Sequence, residues 1–413
     1  MIARSIGAVV RTLGETVFAS LPCARIGDGV VIHGARGPIA GSVASVERTR
    51  VAIAAFGSLT GVRAGDRVET SDEAQSCLLG FGALGRALDA TGAPIDARGP
   101  LNALHVPVRS QPAAARERRP VEAPFWTGIR AIDGLLTIGR GARIGIFGAP
   151  GTGKSTLLET IVAGARADAV VLALVGERGR EAAAWLTRVD ARTTLVCATS
   201  DRSAAERSRA AEVAMEQAVT LRDRGLHVLI MVDSLARYCG ALREQRVALG
   251  EAVGRGGYPP GVFADLARLL ERAGNGACGS MTMIASVLSD GADEREPLSD
   301  AARSLLDGHL ALSGELACAG HYPAIDLLAS TSRTMNDVVG TQHRQDAATV
   351  RSALARLSQT KEARRLGLIG EPEPALAKAV AYAGEIDRFT AQTGSSSPAA
   401  TLAELHILAE LLR

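Results

Sequence analysis

The clearest chemical signature in the sequence lies in residues 148–155, which satisfy the phosphate-binding pattern G-x-x-x-x-G-K-[ST]. An apolar run of strand length, Arg143–Phe147, precedes this loop, and apolar residues recur at helical spacing through Lys154–Ala165. Glycines allow successive backbone N–H groups to turn inward around an anion, and the helix N-terminus adds its positive dipole end. We therefore predict a nucleotide site whose loop residues are Gly148, Ala149, Pro150, Gly151, Thr152, Gly153, Lys154, Ser155 and Thr156.

Lys154 and Ser155 have separate roles in this prediction. A lysine places a compact charge between the β- and γ-phosphates, and a serine hydroxyl at this position binds Mg²⁺. The chain contains 46 lysines and arginines, yet lysine occurs at only three positions, 154, 361 and 378. Since a planar guanidinium replaces an ammonium poorly in a phosphate cradle, the lysine at position 154 supports the phosphate-binding interpretation.

A second apolar strand, Val228–Val232, ends in Asp233. A carboxylate at the carboxyl end of a buried strand, in the same sheet as a phosphate-binding loop, is typical of the acid that acts on magnesium. Arg237 follows one helical turn later. It either orients the acidic cluster or is a solvated charge.

A third strand, Val170–Val175, is followed by Glu177, and Glu181 comes one turn into the next helix. Hydrolysis needs a group that activates or orients water opposite the leaving phosphate, and a carboxylate such as Glu177 can supply it. Glu181 could hold a magnesium-bound water. The alternative interpretation is an ordinary charged loop and helix start, because acidic residues favour the first turn of a helix.

Composition narrows the function classes. The net charge is +2, which gives no electrostatic drive towards nucleic acid or anionic lipid. No apolar run approaches the length needed to span a bilayer, and the first residues lack a signal-peptide pattern. The six cysteines contain no C-x-x-C pair, which favours buried thiols in a reducing cytoplasm over a zinc site or a disulfide framework.

The elements that position these residues fall into four predicted segments. Residues 1–82 contain short β-branched runs separated by turns, which predicts a small β-barrel. Up to residue 80 this segment holds two aromatic residues, Phe18 and Phe56, too few for base stacking, so we interpret the barrel as an assembly module. Residues 83–124 form a junction and a proline-rich connector. Residues 125–338 alternate strand and helix patterns, which predicts a parallel sheet covered on both faces, and residues 339–413 read as an all-helical domain.

The strands predicted for the central segment are Arg143–Phe147, Val170–Val175, Thr194–Ala198, His227–Asp233, Met281–Leu288 and Ile325–Ala329. The helices predicted there are Lys154–Ala165, Arg180–Val189, Ser203–Arg224, Ser234–Leu249 and Phe263–Arg272. The predicted fold class is therefore α/β, with an N-terminal barrel and a C-terminal helical domain.

Several further segments resemble the rotary-type ATPases, and within them the cytoplasmic ATPases of type III secretion systems, which injectisomes and flagella share. The β subunit of F-type ATP synthases is a more distant relative. The resemblance runs over nearly the whole chain. The segments that carry it, besides the phosphate-binding loop, are Pro124–Asp133, Gly176–Arg178, Asp233–Tyr238, Gly257–Pro260, Leu266–Gly274 and Gly320–Asp326.

The resemblance implies a RecA-like ATPase domain, a homohexameric ring and ATP with Mg²⁺ bound between subunits. By the same resemblance, Glu177 is the catalytic carboxylate, Arg178 lies beside the phosphates and Tyr322 stacks on adenine. Taken alone, Tyr322 would be read as a packed tyrosine near a proline. Arg333 resembles the arginine finger that one subunit donates to its neighbour's site, where it stabilises the charge of the transferred phosphate.

The resemblance also implies partners. The segment Gly250–Gly261 matches the loop that faces the pore of the ring and can grip a central stalk; its predicted pore residues are Gly254, Gly257, Tyr258 and Pro259. Other implied partners are a peripheral regulator, chaperone–substrate complexes and an export gate, at the cytoplasmic face of the inner membrane. We expect no specific nucleic-acid partner. Because the predicted barrel begins almost at Met1, we expect the N-terminal extension with which several relatives bind their regulator to be short or absent.

Two other functions remain open from the sequence alone. One is a catalytic subunit of a rotary ATP synthase, which is disfavoured because residues 389–394 lack the further aromatic that such subunits place near adenine. The other is a hexameric RNA translocase, which the aromatic-poor barrel and the small net charge disfavour. The sequence does not distinguish a flagellar apparatus from an injectisome.

Overall fold

The chain folds, from its N-terminus to its C-terminus, into a closed β-barrel, a central sheet with helices on both faces, and a helical region. No helix in the part that the structure describes is long and apolar enough to cross a membrane. The structure, a computed structural model, describes residues 5–48, 50–108, 111–112, 114–288, 296–365 and 373–413, with the backbone alone for residues 115, 288 and 362–365.

The predicted barrel is confirmed. Its strands are β1 (Ile6–Leu13), β2 (Thr16–Ser20), β3 (Gly29–Gly34), β4 (Gly37–Glu47), β5 (Arg50–Ala55) and β6 (Arg67–Thr70). They close in the order β1-β2-β5-β4-β3-β6, and all neighbouring strands are antiparallel. Each of the two barrel rings lies under a guanidinium, Phe18 under Arg11 and Phe56 under the buried Arg209.

Three short strands follow the barrel: β7 (Ser76–Leu79), β8 (Ala87–Leu88) and β9 (Leu104–Pro107). β7 pairs with β9 in an antiparallel ladder. β8 instead adds a parallel edge strand to the central sheet. The segment predicted as a junction and connector therefore contributes backbone pairing to the central sheet.

The remaining strands are β10 (Pro124–Phe125), β11 (Ile138–Gly139), β12 (Arg143–Gly148), β13 (Ala169–Glu177), β14 (Thr193–Thr199), β15 (His227–Asp233), β16 (Gly274–Asn275), β17 (Ser280–Leu288), β18 (Gly308–Leu312) and β19 (Ile325–Ser332). β10 and β11 pair with each other. The central sheet has nine strands, of which eight lie in the order β19-β18-β12-β17-β15-β13-β14-β8 and β16 pairs with β17.

The helices are α1 (Arg130–Leu135), α2 (Lys154–Gly164), α3 (Gly179–Leu186), α4 (Ala204–Asp223), α5 (Leu235–Ala248), α6 (Pro260–Leu270), α7 (Pro297–Leu305), α8 (Gly314–Cys318), α9 (Met335–Val338), α10 (Thr341–Arg365), α11 (Pro374–Ala381), α12 (Ala383–Thr390) and α13 (Pro398–Leu412). Short 3-10 turns occur at Glu73–Gln75, Phe81–Ala83, Ala115–Glu117 and Arg255–Gly257.

Local sequence explains several helix starts. α4 begins after Ser203 with a capping box, in which the Ser203 side chain accepts the Glu206 N–H and the Glu206 carboxylate accepts the Ser203 N–H. Proline stands at the first positions of α6, α7, α11 and α13, where its missing N–H costs nothing.

The interior strands of the central sheet are parallel, as predicted. Two pairings differ, because β16 pairs with β17 and β19 pairs with β18 in the antiparallel sense. The sequence did not predict the five-residue β18, and β19 pairs with it in the antiparallel sense. The connection from β18 to β19 contains only the short α8 and turns, so the chain doubles back at the sheet edge without making a crossover. β19 was predicted, and its antiparallel direction determines at which end of the sheet Arg333, the residue that follows it, lies.

Apolar side chains cover both faces of the central sheet. One cluster joins the sheet to α1, α2 and the C-terminal helices, and the other joins it to α4, α5, α6 and α7. The strands β12, β13, β15 and β17 are buried nearly throughout, which is why they read as continuous apolar runs. Because these strands are parallel, their carboxyl ends share one edge, where Gly148, Glu177 and Asp233 lie.

Candidate active site

The phosphate-binding loop connects β12 to α2. Gly151 and Gly153 have φ angles of +84° and +85°, a region that favours glycine. Thr152 braces the loop, because its hydroxyl donates to the Ala149 carbonyl at 2.8 Å. α2 begins at Lys154 directly after Gly153, so its first free N–H groups face the same concavity as the loop.

Lys154 pairs with Asp233 across this concavity, with 3.3 Å between Nζ and Oδ1. The Asp233 side chain, 11% exposed, also accepts a hydrogen bond from the buried hydroxyl of Ser286 on β17, the strand between β12 and β15. Ser286 was not predicted, because no local pattern distinguishes it from the other polar residues of the same strand, Ser280 and Thr282. Its hydroxyl fixes the carboxylate that faces the loop.

Glu177 ends β13 at the same edge of the sheet, where its carboxylate forms an ion pair with Arg237 of α5. Burial raises the pKa of Glu177; the hydrogen bond from Arg237 opposes this shift, and a hydrogen bond with Glu181 adds to it. A carboxyl group with a raised pKa is a stronger base once ionised. Of the two interpretations of Arg237, the structure therefore supports the one in which it orients the acidic cluster.

Arg178 and Glu181 lie at the start of α3. The Arg178 carbonyl accepts the N–H groups of Glu181 and Ala182, which makes Arg178 the residue before the first helical turn. The Arg178 side chain is exposed, whereas Glu181 is half-buried beside Glu177. Their predicted roles, contact with phosphate and water on magnesium, stay predictions.

Tyr322 lies next to the phosphate-binding loop although it is far away in sequence. A β-carbon built on Gly153 would come within 2.9 Å of its ring, so the two are in direct contact. The ring is 41% exposed and borders a cavity of about 520 Å³. The cavity is lined by Arg130, Gly320, Tyr322, Arg388, Ala391, Gln392, Thr393, Ser395 and Ser396.

The cavity is a suitable place for a nucleotide base. Tyr322 is the single aromatic residue among its lining residues, and Phe389 is buried below it in the helical core. The expectation that Tyr322 alone offers a ring to the base therefore fits the described lining. The contributions of Arg130 and Gln392 were not predicted, because nothing in the local sequence indicates that residues 130 and 392 meet.

Arg333 follows β19 and lies away from the other predicted residues. Ser332 is level with Gly308, and Gly308 is level with Ile144 at the start of β12. Gly148 is four residues further along β12, roughly 13 Å away at the rise of a strand. The exposed Arg333 side chain is therefore at the opposite end of the strands from Lys154 and does not complete the site of its own subunit.

The predicted pore segment has an anchored part and an exposed part. Pro259 is buried and Tyr258 is half-buried, with its ring near Phe263 and under Arg243. Gly254 is exposed next to Val253, whereas Gly257 is half-buried. A role in the pore stays a prediction for all four residues, and Gly254 is the one whose surroundings leave it free to meet a partner.

These residues fit ATP and Mg²⁺. Glycines of the loop turn their backbone around an open concavity, and no atom would lie within 4 Å of a β-carbon on Gly151. The exposed hydroxyl of Ser155 and the carboxylate of Asp233 are oxygen donors of the kind Mg²⁺ prefers. Among the described residues no group of three or more histidine, cysteine or acidic side chains could hold a metal by itself.

Comparison with known proteins adds independent findings. The family model "ATP synthase alpha/beta family, nucleotide-binding domain" matches residues 128–332. The chain is 40% identical to a type 3 secretion system ATPase of Sinorhizobium fredii, over 94% of this chain and 88% of that protein. It is 38% identical to a flagellum-specific ATP synthase of Pseudomonas aeruginosa, over 90% of this chain and 86% of that protein.

A solved structure gives the same result at the level of the fold. The assembled ATPase EscN from the type III secretion system of enteropathogenic E. coli is similar to this chain with a TM-score of 0.91 and 37% identity, over 98% of this chain and all of that one. A second structure, of EscN with its central stalk EscO, is similar with a TM-score of 0.88 over the same shares.

Proposed function

The chain belongs to the family of type III secretion and flagellar export ATPases, and from this premise we propose that it works as a homohexameric ring that hydrolyses ATP to drive protein export. ATP hydrolysis for type III secretion is the function supported by its relatives, in preference to a rotary ATP synthase subunit or an RNA translocase. The energy would release substrates from chaperones and unfold them for export.

The partners and location form part of the proposal. Since EscN has been solved as an assembled ATPase and with a central stalk, we propose a ring around a stalk protein here as well. A peripheral regulator, chaperone–substrate complexes and an export gate at the membrane complete the set. The ring would lie in the cytoplasm at the inner-membrane face of the apparatus.

One observation carries the proposal of a ring: Arg333 and the other candidate groups occupy opposite ends of the central sheet. Lys154, Asp233 and Glu177 gather at the carboxyl ends of the parallel strands. Arg333 lies at the other end, because β19 runs antiparallel. By this proposal a subunit presents the loop, Asp233 and Glu177 on one side and the exposed Arg333 on the other, and in a head-to-tail ring the Arg333 of one subunit completes the site of the next.

The chemistry of each residue follows from its position. In the proposed site Lys154 and the loop N–H groups bind the β- and γ-phosphates. Ser155 and Asp233 would hold Mg²⁺, which would supply positive charge near the transferred phosphate. Phosphate binding competes with Asp233 for Lys154, so the ion pair of the free protein opens when nucleotide enters. Glu177 orients and deprotonates the attacking water, and Arg333 of the neighbouring subunit stabilises the charge that develops.

A complementation experiment tests the shared site. Glu177→Gln removes the base but keeps Arg333, and Arg333→Ala removes the finger but keeps Glu177, so each variant alone should lose turnover by about 10³-fold. Mixed in equal amounts, the two variants should regain turnover. About a quarter of neighbouring subunit pairs then join an intact Glu177 to an intact Arg333, if the subunits mix at random.

The control is a mixture of Lys154→Ala with Glu177→Gln. Both changes are on the same side of the interface, so no mixed pair contains a complete site, and turnover should stay absent. Full activity of Arg333→Ala alone, or no recovery in the first mixture although mixed rings form, would refute the proposal that the site is shared between subunits.

A further inference from the structure

Arg130, the first residue of α1, contacts a part of the chain more than 250 residues away. Its guanidinium donates to the main-chain carbonyls of Phe389 at 3.1 Å, Arg388 at 2.9 Å and Ala391 at 2.6 Å. It also forms an ion pair with Glu404 of α13 at 3.2 Å. Carbonyls at the end of a helix lack partners within the helix, and a guanidinium satisfies them while matching the negative end of the dipole.

Gln392 connects Arg130 to Tyr322, which lies beside the phosphate-binding loop. The side-chain oxygen of Gln392 accepts a hydrogen bond from the backbone N–H of Arg130 at 2.7 Å. Its side-chain amide nitrogen donates to the Gly128 carbonyl, also at 2.7 Å. Its backbone N–H donates to the Tyr322 carbonyl, also at 2.7 Å. Tyr322 in turn touches Gly153. A continuous polar path thus joins the start of α1 to the ring beside the phosphate-binding loop.

From this path we infer that Arg130 is a positioning residue for the base of the nucleotide: it holds residues 388–392 of the helical region so that Gln392 fixes Tyr322 beside the loop. Arg130, Gln392 and Tyr322 all line the same cavity of about 520 Å³. The chemical class of ligand positioned there is a planar nucleobase, which needs a rigid ring and a wall at a fixed separation. The inference rests on the proposed function, because it assumes that nucleotide binds at residues 148–155.

The arrangement predicts an effect on one half of the ligand only. The phosphates are bound by the loop and Lys154, none of which contacts Arg130 in the described part of the chain. Loss of Arg130 should therefore weaken the binding of the base and leave the binding of the phosphates unchanged. A lysine at this position has one compact ammonium and cannot donate to several carbonyls in the same plane, so it should restore only part of the affinity.

The test compares two probes on the full-length protein, Mg-ATP and Mg-tripolyphosphate, by equilibrium competition against a fluorescent nucleotide. For Arg130→Ala we expect the Kd of ATP to rise about tenfold, the Kd of tripolyphosphate to stay constant, and kcat at saturating ATP to stay within about twofold. Gln392→Ala should show the same pattern. The double variant should lose less binding free energy for ATP than the sum of the losses in the two single variants, because the two residues act in one path.

Arg86→Ala is the matched control. Arg86 also binds a carboxylate, Asp96, and a main-chain carbonyl, that of Gly99, but it lies at the opposite edge of the central sheet. Its loss should lower stability without changing either Kd. Should Arg130→Ala fail to fold, Arg130→Lys and Gln392→Ala carry the test.

Two results would overturn the inference: an unchanged Kd for ATP in folded Arg130 and Gln392 variants, or equal losses for ATP and tripolyphosphate. The second result would indicate a general distortion of the site. Failure of the proposed function looks different, since the wild-type protein would then bind neither probe or would hydrolyse no ATP.

Discussion

The loop that faces the phosphates lies within eight consecutive residues, whereas the cavity for the base is assembled from three segments that are far apart in the chain. Residues 148–155 carry their own geometry, with glycines at positive φ and a helix that begins at Lys154. The cavity needs Arg130 from α1, Tyr322 from the turn before β19 and residues 388–396 from the helical region. If both sites bind as proposed, phosphate binding is a local property of the loop, and base binding depends on how the helical region docks on the core.

The largest expected effect is that of a substitution in the phosphate-binding loop. Lys154→Ala and Lys154→Arg should both reduce turnover by at least about 10²-fold, because the compact charge is lost or does not fit among the loop N–H groups. The measurement is steady-state phosphate release by the assembled protein. Lys378→Arg, an exposed lysine on α11, is the control and should retain full activity. An active Lys154→Arg variant would show that the cradle accepts a planar cation.

A smaller effect is expected for the cavity that is formed by three distant segments of the chain. Tyr322→Ala should raise the KM for ATP about tenfold with little change in kcat, because in the proposed site the ring stacks on the base and does not contact the reacting phosphate. Tyr322→Phe keeps the ring and should behave as wild type. A fall in kcat at unchanged KM would place Tyr322 in the chemistry of the phosphates and remove the contrast between the two halves.

The smallest effect is a displacement of the pH profile. Burial holds the pKa of Glu177 above its ordinary value, and the ion pair with Arg237 limits that rise. Glu177 must be ionised to act as a base, so turnover falls as the pH drops through this raised pKa. Arg237→Met removes the opposing cation, so the pKa should rise further and the acid limb of the rate profile should move to higher pH.

The control for the pH experiment is Arg188→Ala, which removes an exposed cation paired with Glu159 in the same region. Its acid limb should coincide with that of the wild type. If Arg237→Met lowered turnover at every pH without moving the acid limb, Arg237 would act on something other than the ionisation of Glu177.

Much of the fold could be predicted because its signals are local. Strands β12, β13 and β15 are buried on both faces and read as apolar runs, and α4 is introduced by a capping box. β18 was missed because its five residues form no such run, since they begin with Gly308 and His309. The antiparallel direction of β19 was not predicted either, since direction depends on the connection between strands and not on their composition.

The candidate site divides in the same way. Lys154, Ser155, Asp233 and Glu177 were identified because each stands at a strand end or a helix start, positions that a sequence pattern marks. Ser286 was not, although it binds Asp233, because a serine inside an apolar strand carries no signal of its partner.

The sequence by itself indicated a nucleotide-binding site and predicted which residues meet the phosphates, because glycine conformation, helix start and strand end are properties of neighbouring residues. It also contained the resemblance that identified the family. Only the tertiary structure decided that Arg333 lies at the far end of the sheet and that Arg130 reaches residues 388–392. Both depend on the direction of an edge strand and on the docking of distant helices, and contacts of that kind are set by the packing of the whole chain.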